Sequence, residues 1–459
     1  MAFLVYNLIL FMLSPAIALF ILWRILVTGK SRRSWREQLG FVKLSARILD
    51  KPRIWIHAVS VGESVASAGV VAELKKLLPE AAVVLSTTTQ TGQEMARKSV
   101  KEADEFIYYP FDLLPCVELS IRRVRPTVFA ATDTEIWPNF RHIARRHGVR
   151  TAVINGTVSD KTLRGARWAR WVYRWTLSNI DLFCMQSQTD AERIVSLGAH
   201  PDRVRVTGNC KADEAGLCAM SDSEKDELRA SLKLPFGAPV FVAGSTNPGE
   251  DGPVLNAFVA AREAHPDLRL IVAPRQIERG EEIAKLAGDA GLSCTRRSDP
   301  EGIRGGEDVI VLDTFGELAR VYALADVTFV GGSLIPKGCH SILQPIAQGK
   351  PVFFGPYTFK ARDLVGQAKA AGVGFEVRDG EHLGRELVRF LDDRALLDEV
   401  RARCERMMAE NRGASRRTAE ALAELYAQSQ NDKAQGKREG RGTCRCENCD
   451  AASEVISTS

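Results

Sequence analysis

What this chain of 459 residues lacks narrows its class. It has no cysteine framework of the secreted kind: ten cysteines are scattered over the whole length, and most sit in apolar runs such as Leu182-Phe-Cys-Met185. In such runs cysteine behaves as a small buried hydrophobe, and a reducing compartment fits that usage. It also lacks a large charge surplus. Sixty-two Lys and Arg against 57 Asp and Glu leave a net charge of +5, too little to point to a nucleic-acid binder. The globular part shows no cluster of metal-ligand residues, so no metal site is expected. No basic segment precedes the apolar N-terminal run, and Ala16-Ile-Ala18 lies inside that run rather than after it. Both points argue against a cleaved signal peptide.

What is present is a globular composition, 26% charged and 45% hydrophobic, in a chain long enough for two or three domains with substantial cores. Residues 2–23 are almost wholly apolar, which is long enough for a helix to cross a bilayer. Arg24, Lys30, Arg32, Arg33 and Arg36 follow directly. The positive-inside rule then predicts a single-pass anchor with the bulk of the chain in the cytoplasm. The other reading is an amphipathic helix lying in the membrane interface, and the run shows no polar face to support it.

From 53 to about 210 apolar strand patterns alternate with helical ones. Strands are expected at 53–58, 81–86, 127–132, 150–154, 181–186 and 203–207. After the polar helical segment 211–237 a second set follows, at 239–243, 268–273, 308–312, 326–330 and 351–354. Alternation of this kind predicts parallel, doubly wound sheets. Two such α/β halves of about 180 residues imply a crevice between them. A helix over 163–176 carries Arg164, Arg167, Arg170 and Arg174 beside Trp168, Trp171 and Trp175. Two readings stand: a surface for anionic lipid headgroups, or Trp toward a core and Arg toward solvent. The tail after about 428 is polar and aperiodic, and disorder is expected there. Its Cys444, Cys446 and Cys449 lack a fourth ligand nearby, so a solvated tail is favoured over a metal site.

The chain is organised around His57-Ala-Val-Ser-Val-Gly-Glu63, on the turn from the strand Arg53-Ile-Trp-Ile into a helix. Ligands bind at such carboxyl ends. Glu63 in the first helical turn can take a proton from a substrate hydroxyl. Equally, Ser60-x-x-Glu63 is a capping box. Thr132-Asp-Thr-Glu-Ile-Trp-Pro-Asn139 follows another strand, and its Asp133 and Glu135 need not face the same way. Asn155-Gly156 and Gly208-Asn-Cys-Lys211 close two more, with Lys211 a cation toward the crevice. In the second half Gly244-Ser-Thr246, Ala273-Pro-Arg-Gln-Ile-Glu-Arg279, Asp313-Thr-Phe-Gly-Glu-Leu318, Gly331-Gly-Ser333 and Gly338-Cys-His-Ser-Ile-Leu-Gln-Pro345 follow strands. Small residues there let backbone amides approach a phosphate, and Arg275 can clamp one.

In this order and spacing, these motifs make residues 1–425 resemble the 3-deoxy-D-manno-octulosonic acid (Kdo) transferases of lipopolysaccharide assembly, of the GT-B glycosyltransferase class. The resemblance implies two Rossmann-like domains facing a cleft plus an N-terminal transmembrane helix. The expected divisions are 1–36 (anchor and basic flank), 37–210 (acceptor domain), 211–427 (CMP-sugar domain) and 428–459 (tail). It implies transfer of Kdo from CMP-Kdo to a lipid A precursor at the inner membrane, in contact with its lipids, with no separate cofactor and no nucleic acid. Glu63 matches the general base; Asp133, where the family usually has Glu, and Lys211 match stabilising positions. Pro274 and Arg275, then Phe315, Gly316 and Glu317, then Ser341, Ile342, Leu343 and Gln344 match CMP-contacting loops. The third loop departs from the family pattern: Ser341 replaces an amide and Gln344 a carboxylate. Gln276 stands where His is frequent. The rival expectations are another membrane-bound GT-B enzyme using a UDP-sugar, or a membrane-tethered binding protein without catalysis.

Overall fold

The computed structural model describes residues 3–13, 15, 34–135, 137–166, 170–216, 220–299 and 302–442. The chain divides into two compact units, residues 1–210 with 413–459 and residues 211–412.

The first unit is built on a sheet of seven parallel strands. They are β1 (Arg53–His57), β2 (Ala82–Thr87), β3 (Glu105–Tyr108), β4 (Val128–Thr132), β5 (Arg150–Gly156), β6 (Leu182–Met185) and β7 (Val204–Val206). Their order is β3-β2-β1-β4-β5-β6-β7, so the strand order reverses beside β1. Ligand crevices form at such a reversal. The central strands β1, β2 and β4 are buried along their whole length. This is why they read as continuous apolar runs rather than alternating ones. The helices that matter for function are α1 (residues 3–13), α2 (Val61–Leu77), α3 (Pro138–Arg146), α4 (Arg170–Leu177) and α5 (Cys210–Gly216). Pro138 opens α3 at a position where its missing N–H costs nothing. Asp112 accepts the amides of Asn139 at 3.1 Å and Phe140 at 2.8 Å, capping α3 from a distant loop. Beneath α3, Trp55 meets Phe129 and Phe140 edge-on, with centroids 5.6 and 5.2 Å apart.

The second unit repeats the plan with β8 (Val240–Thr246), β9 (Arg269–Pro274), β10 (Cys294–Arg296), β11 (Val309–Val311), β12 (Val327–Val330), β13 (Val352–Phe354) and β14 (Gly374–Glu376). The order is β10-β11-β9-β8-β12-β13-β14, all parallel. Helices α6 (Asp251–Ala264) and α7 (Leu343–Ala347) belong here.

The chain then returns. Helix α8 (Ala414–Gly442) packs along α2, with Ala419, Leu422, Leu425 and Tyr426 in the core of the first unit. This corrects two expectations. Residues 413–427 belong to the first unit rather than the second, and helix continues past 428 to Gly442. Over 414–432 it is buried along one stripe only, which leaves much of its sequence polar. Leu422 is fully buried, so Leu422→Ala should destabilise the first unit by about 2–5 kcal/mol. Urea unfolding followed by circular dichroism would read this.

The span expected over 2–23 lies partly outside the described residues, and among those described no helix is long and apolar enough to cross a membrane. Cys444, Cys446 and Cys449 also lie outside them. Of the described cysteines, Cys116, Cys184, Cys210, Cys339 and Cys404 are buried and Cys294 is half-buried. Of the helix expected over 163–176, the described residues are helical in Asp160–Ala166 and in α4, and Arg167 and Trp168 lie outside the described residues. Arg164, Arg170, Trp171 and Arg174 are exposed, and Trp175 is half-buried.

Candidate active site

Strand β1 delivers the chain into the turn 58–60 and then α2. Ser60 sits in extended geometry as the N-cap, and its hydroxyl accepts the Glu63 amide at 3.3 Å. The Glu63 carboxylate reaches back to the amide of Val59, at 2.7 Å, not to that of Ser60. The box is therefore shifted by one residue, and one carboxylate oxygen braces the turn. Glu63 is only 7% exposed. Ser67, one helical turn on, donates to the Glu63 carbonyl at 2.8 Å and pairs with the Thr132 hydroxyl at 2.9 Å. That contact pins the start of α2 to the end of β4. His57, in the same motif, is a core residue. It is fully buried, stacked on Tyr109 with centroids 3.8 Å apart, and its Nδ1 faces the Ser86 carbonyl at 3.2 Å. Burial pushes it down to about 3, so it is neutral.

Strand β4 ends in a strained corner. Asp133 has φ 57° and Asn155, at the end of β5, has φ 51°. Left-handed non-glycine residues cost about 1–3 kcal/mol each and gather at functional sites. The Asp133 amide donates to the Ile154 carbonyl at 2.9 Å, and the Asn155 side chain donates to the Asp133 carboxylate at 3.0 Å. The Asn155 side-chain oxygen Oδ1 accepts the Cys210 amide at 2.9 Å. One buried asparagine thus holds Asp133 on one side and the start of α5 on the other. Lys211, next in sequence, is half-exposed.

Glu135 joins this group. Partial burial first, then the negative charges of Glu63 and Asp133, push its carboxyl up to about 7. Three carboxylates therefore share one field at the ends of β1 and β4. Such a group is costly when all are ionised, and a centre of developing positive charge relieves it. The folded-state value lies above the ordinary 4.5. The native state therefore holds an extra proton between about pH 4.5 and 7, and stability falls as pH rises through that window. Glu135→Gln should show no such loss. Its melting temperature relative to wild type should climb between pH 4.5 and 7 in paired thermal scans.

In the second unit the loops after β8, β9, β11 and β12 carry a group of their own. Glycine is required at 244, where a Cβ would lie 1.9 Å from the Tyr322 hydroxyl. Glu250 organises the loops. It is fully buried, and its carboxylate accepts four amides: Asn247 at 2.9 Å, Gly332 at 2.6 Å, and Ser333 and Leu334 at 2.9 Å each. Arg275, just past Pro274 at the end of β9, donates its amide to the Thr246 carbonyl at 2.9 Å and leaves its guanidinium exposed. His340 meets the Asn247 side chain at 3.2 Å. Burial, then the charges of Arg275, Lys360 and Lys337, push it down to about 4. The charges of Arg275, Lys337 and Lys360 thus act together around His340, a setting suited to a phosphate.

The other expected donor residues divide. Phe315 is 82% exposed and Gly316 has φ 89°. Partial burial opposes ionisation of Glu317, but the Thr314 hydroxyl and Arg297, at 3.2 Å, hold it below the ordinary value. Ser341 is exposed and Gln344 half-exposed. Ile342 and Leu343 are buried, Ile342 in the core, so their side chains face away from solvent. Arg279 is tied to the buried Asp251 at 2.5 Å, a structural pair. Glu250 and Asn155 were not among the residues expected to matter; only Asn155-Gly at a strand end hinted at the second.

Two α/β units, each built on a seven-stranded parallel sheet, define a fold of the GT-B type. A solved UDP-GlcNAc 2-epimerase from Neisseria meningitidis shares that fold, with a TM-score of 0.56 at 13% identity over 81% of this chain and all of the other. Residues 33–214 match the family model for 3-deoxy-D-manno-octulosonic-acid transferase (kdotransferase). A transferase of that name from Bordetella pertussis is 31% identical over 80% of this chain and 86% of its own length. A bifunctional glycosyltransferase/methyltransferase of Fusobacterium nucleatum is 34% identical over 72% of this chain, which spans about half, 51%, of that longer protein. The chain belongs to the Kdo transferase family.

Proposed function

We propose that the protein is an inverting glycosyltransferase that moves Kdo from CMP-Kdo to the glucosamine 6′-hydroxyl of a lipid A precursor. The observation that carries the reading is the carboxylate group at the ends of β1 and β4, with buried Glu63 on the turn between β1 and α2. Glu63 accepts the proton of the acceptor hydroxyl as its oxygen attacks the anomeric carbon. The bond from that carbon to the CMP phosphate breaks, and the electron pair leaves with CMP. Positive charge grows on the sugar in the transition state, where Asp133 and Glu135 stabilise it. Negative charge grows on the phosphate, where Arg275 and Lys211 stabilise it. CMP carries one phosphate, so fixed cations serve without a metal. The N-terminal apolar segment and its basic flank hold the enzyme at the cytoplasmic face of the inner membrane.

The test is incubation of the detergent-solubilised protein with tetraacylated lipid A precursor and CMP-Kdo generated in situ, with the lipid weighed by mass spectrometry. A Kdo increment is expected. No increment with CMP still bound would sink the acceptor assignment, and no CMP binding would sink the donor as well. The altered third loop, with Ser341 and the neutral Gln344, favours one rival, a membrane-tethered binding protein without catalysis, which would fail to bind CMP; for the other rival, a UDP-sugar enzyme, UDP rather than CMP would inhibit. Arg275→Ala should weaken CMP about tenfold or more by calorimetry, the scale of one charge-assisted contact of about 1.5–3 kcal/mol. Unchanged affinity removes Arg275 from the donor site.

A further inference from the structure

Helix α1 has two unlike faces. Phe3, Tyr6, Asn7 and Leu10 are half-buried, at i, i+3, i+4 and i+7, the spacing of a single helix face. The other face is wholly apolar and open: Leu4, Leu8, Phe11 and Met12 are 62–73% exposed. The inward face is bonded to the first unit. Asn7 and Asn139 form a reciprocal amide pair, each side chain donating to the other at 2.8 Å. The Tyr6 hydroxyl donates to Asp112 at 2.9 Å. Asn139 also donates to the Asp112 carbonyl at 2.7 Å, and the Asp112 carboxylate caps α3. Phe3 packs on His142 and on Trp175 of α4, with centroids 4.3 and 5.9 Å apart. Beyond Trp175, α4 exposes Trp171, 47% open, with Arg170 and Arg174.

We propose that α1 is an in-plane membrane contact locked to the acceptor-side unit, continuous with the Trp and Arg surface of α4, and that it does not cross the bilayer. The 11 residues of α1 span about 16 Å at 1.5 Å per residue, about half the hydrocarbon thickness. With them bound to α3, only ten residues, 14–23, remain before Arg24, against the roughly 20 a crossing helix needs. The polar face that the bare sequence lacks is supplied by Tyr6 and Asn7, which the protein itself satisfies. The exposed aliphatic face is the part that needs a nonaqueous partner, and Trp171 with the arginines suits an anionic headgroup layer. The lock closes on Asn139, four residues after Glu135. The leaflet that holds the acceptor is thereby registered to the loop that carries two of the three carboxylates.

The inference rests on a lipid acceptor for its purpose but not for its test. An epitope tag at Met1 should lie on the same side of the membrane as the catalytic units. Protease should remove it from inside-out vesicles and spare it in right-side-out ones; the reverse pattern means a crossing helix and overturns the proposal. Leu8→Asp should cut flotation with phosphatidylglycerol vesicles about tenfold, matching a buried leucine at about 1.5–3 kcal/mol. Unchanged flotation, or a dimer that Leu8→Asp dissociates, would show that lipid is not what covers the face. Asn7→Ala and Asn139→Ala should each lower the melting temperature, and the double variant should add little. Additive losses would break the lock. A cytoplasmic tag with no Kdo transfer would leave the docking intact and remove the acceptor reading alone.

Discussion

Glu63→Gln should lower kcat for transfer by about 10²–10⁴-fold, the usual worth of a general base, with CMP affinity unchanged. The substitution is informative because of what it preserves. Glutamine has the shape of glutamate, and its carbonyl oxygen can still accept the Val59 amide that the Glu63 carboxylate accepts at 2.7 Å. The Ser60 cap and the contact from Ser67 to Thr132 do not involve the lost charge. The turn should therefore hold, while the group can no longer take a proton. Ser60→Ala makes the complementary case: loss of an N-cap costs about 1 kcal/mol of stability and touches no proton transfer. If the turn is only a helix start, Ser60→Ala should be the more damaging variant by melting temperature, and Glu63→Gln should turn over at nearly the wild-type rate in the mass-spectrometric assay. If Glu63 is the base, the two effects separate, one in stability and the other in kcat.

Much of this was written in the local sequence. The inner strands are continuous apolar runs bounded by glycine or polar residues, and eleven of the fourteen stood where periodicity placed them, to within three residues at either end. The three it missed, β3, β10 and β14, lie at sheet edges. Each has three or four residues and a charged one among them, Glu105, Arg296 or Glu376. A strand paired on one side has little apolar surface to declare. The return of α8 to the first unit was invisible for another reason: nothing local tells a helix which core it joins, and Leu422 and Tyr426 read the same against either sheet. In the site, Glu63 and Asp133 were legible from their strand ends. That Glu135 shares their field depends on Asp133 adopting φ 57°, a backbone choice the sequence does not announce. In the N-terminal run Tyr6 and Asn7 count as minor interruptions until Asp112 and Asn139 are seen to receive them.

Glu250→Ala should destabilise the second unit by at least about 3 kcal/mol and lower CMP affinity tenfold or more. The carboxylate is fully buried and is the partner of four amides, three of them in the Gly331–Leu334 stretch. Hydrogen bonds to a charged group contribute about 1.5–3 kcal/mol each, and a buried N–H left without a partner costs about 1–3 kcal/mol. Alanine leaves all four without this one. Glutamine separates charge from shape. Its single carbonyl oxygen can serve one amide pair, either Ser333 and Leu334 or Asn247 and Gly332, and its NH₂ then faces the other pair donor to donor. Glu250→Gln should therefore fold with an intermediate loss of stability and still bind CMP poorly, because the 331–334 loop that leads to His340 is no longer tied at both ends. Arg275→Ala provides the contrast: its guanidinium is exposed, so affinity should fall with little change in unfolding. Calorimetry with CMP and urea unfolding on the same samples would resolve the two. Wild-type stability and affinity in Glu250→Gln would show that the four amides find other partners and that the donor loop is organised from elsewhere.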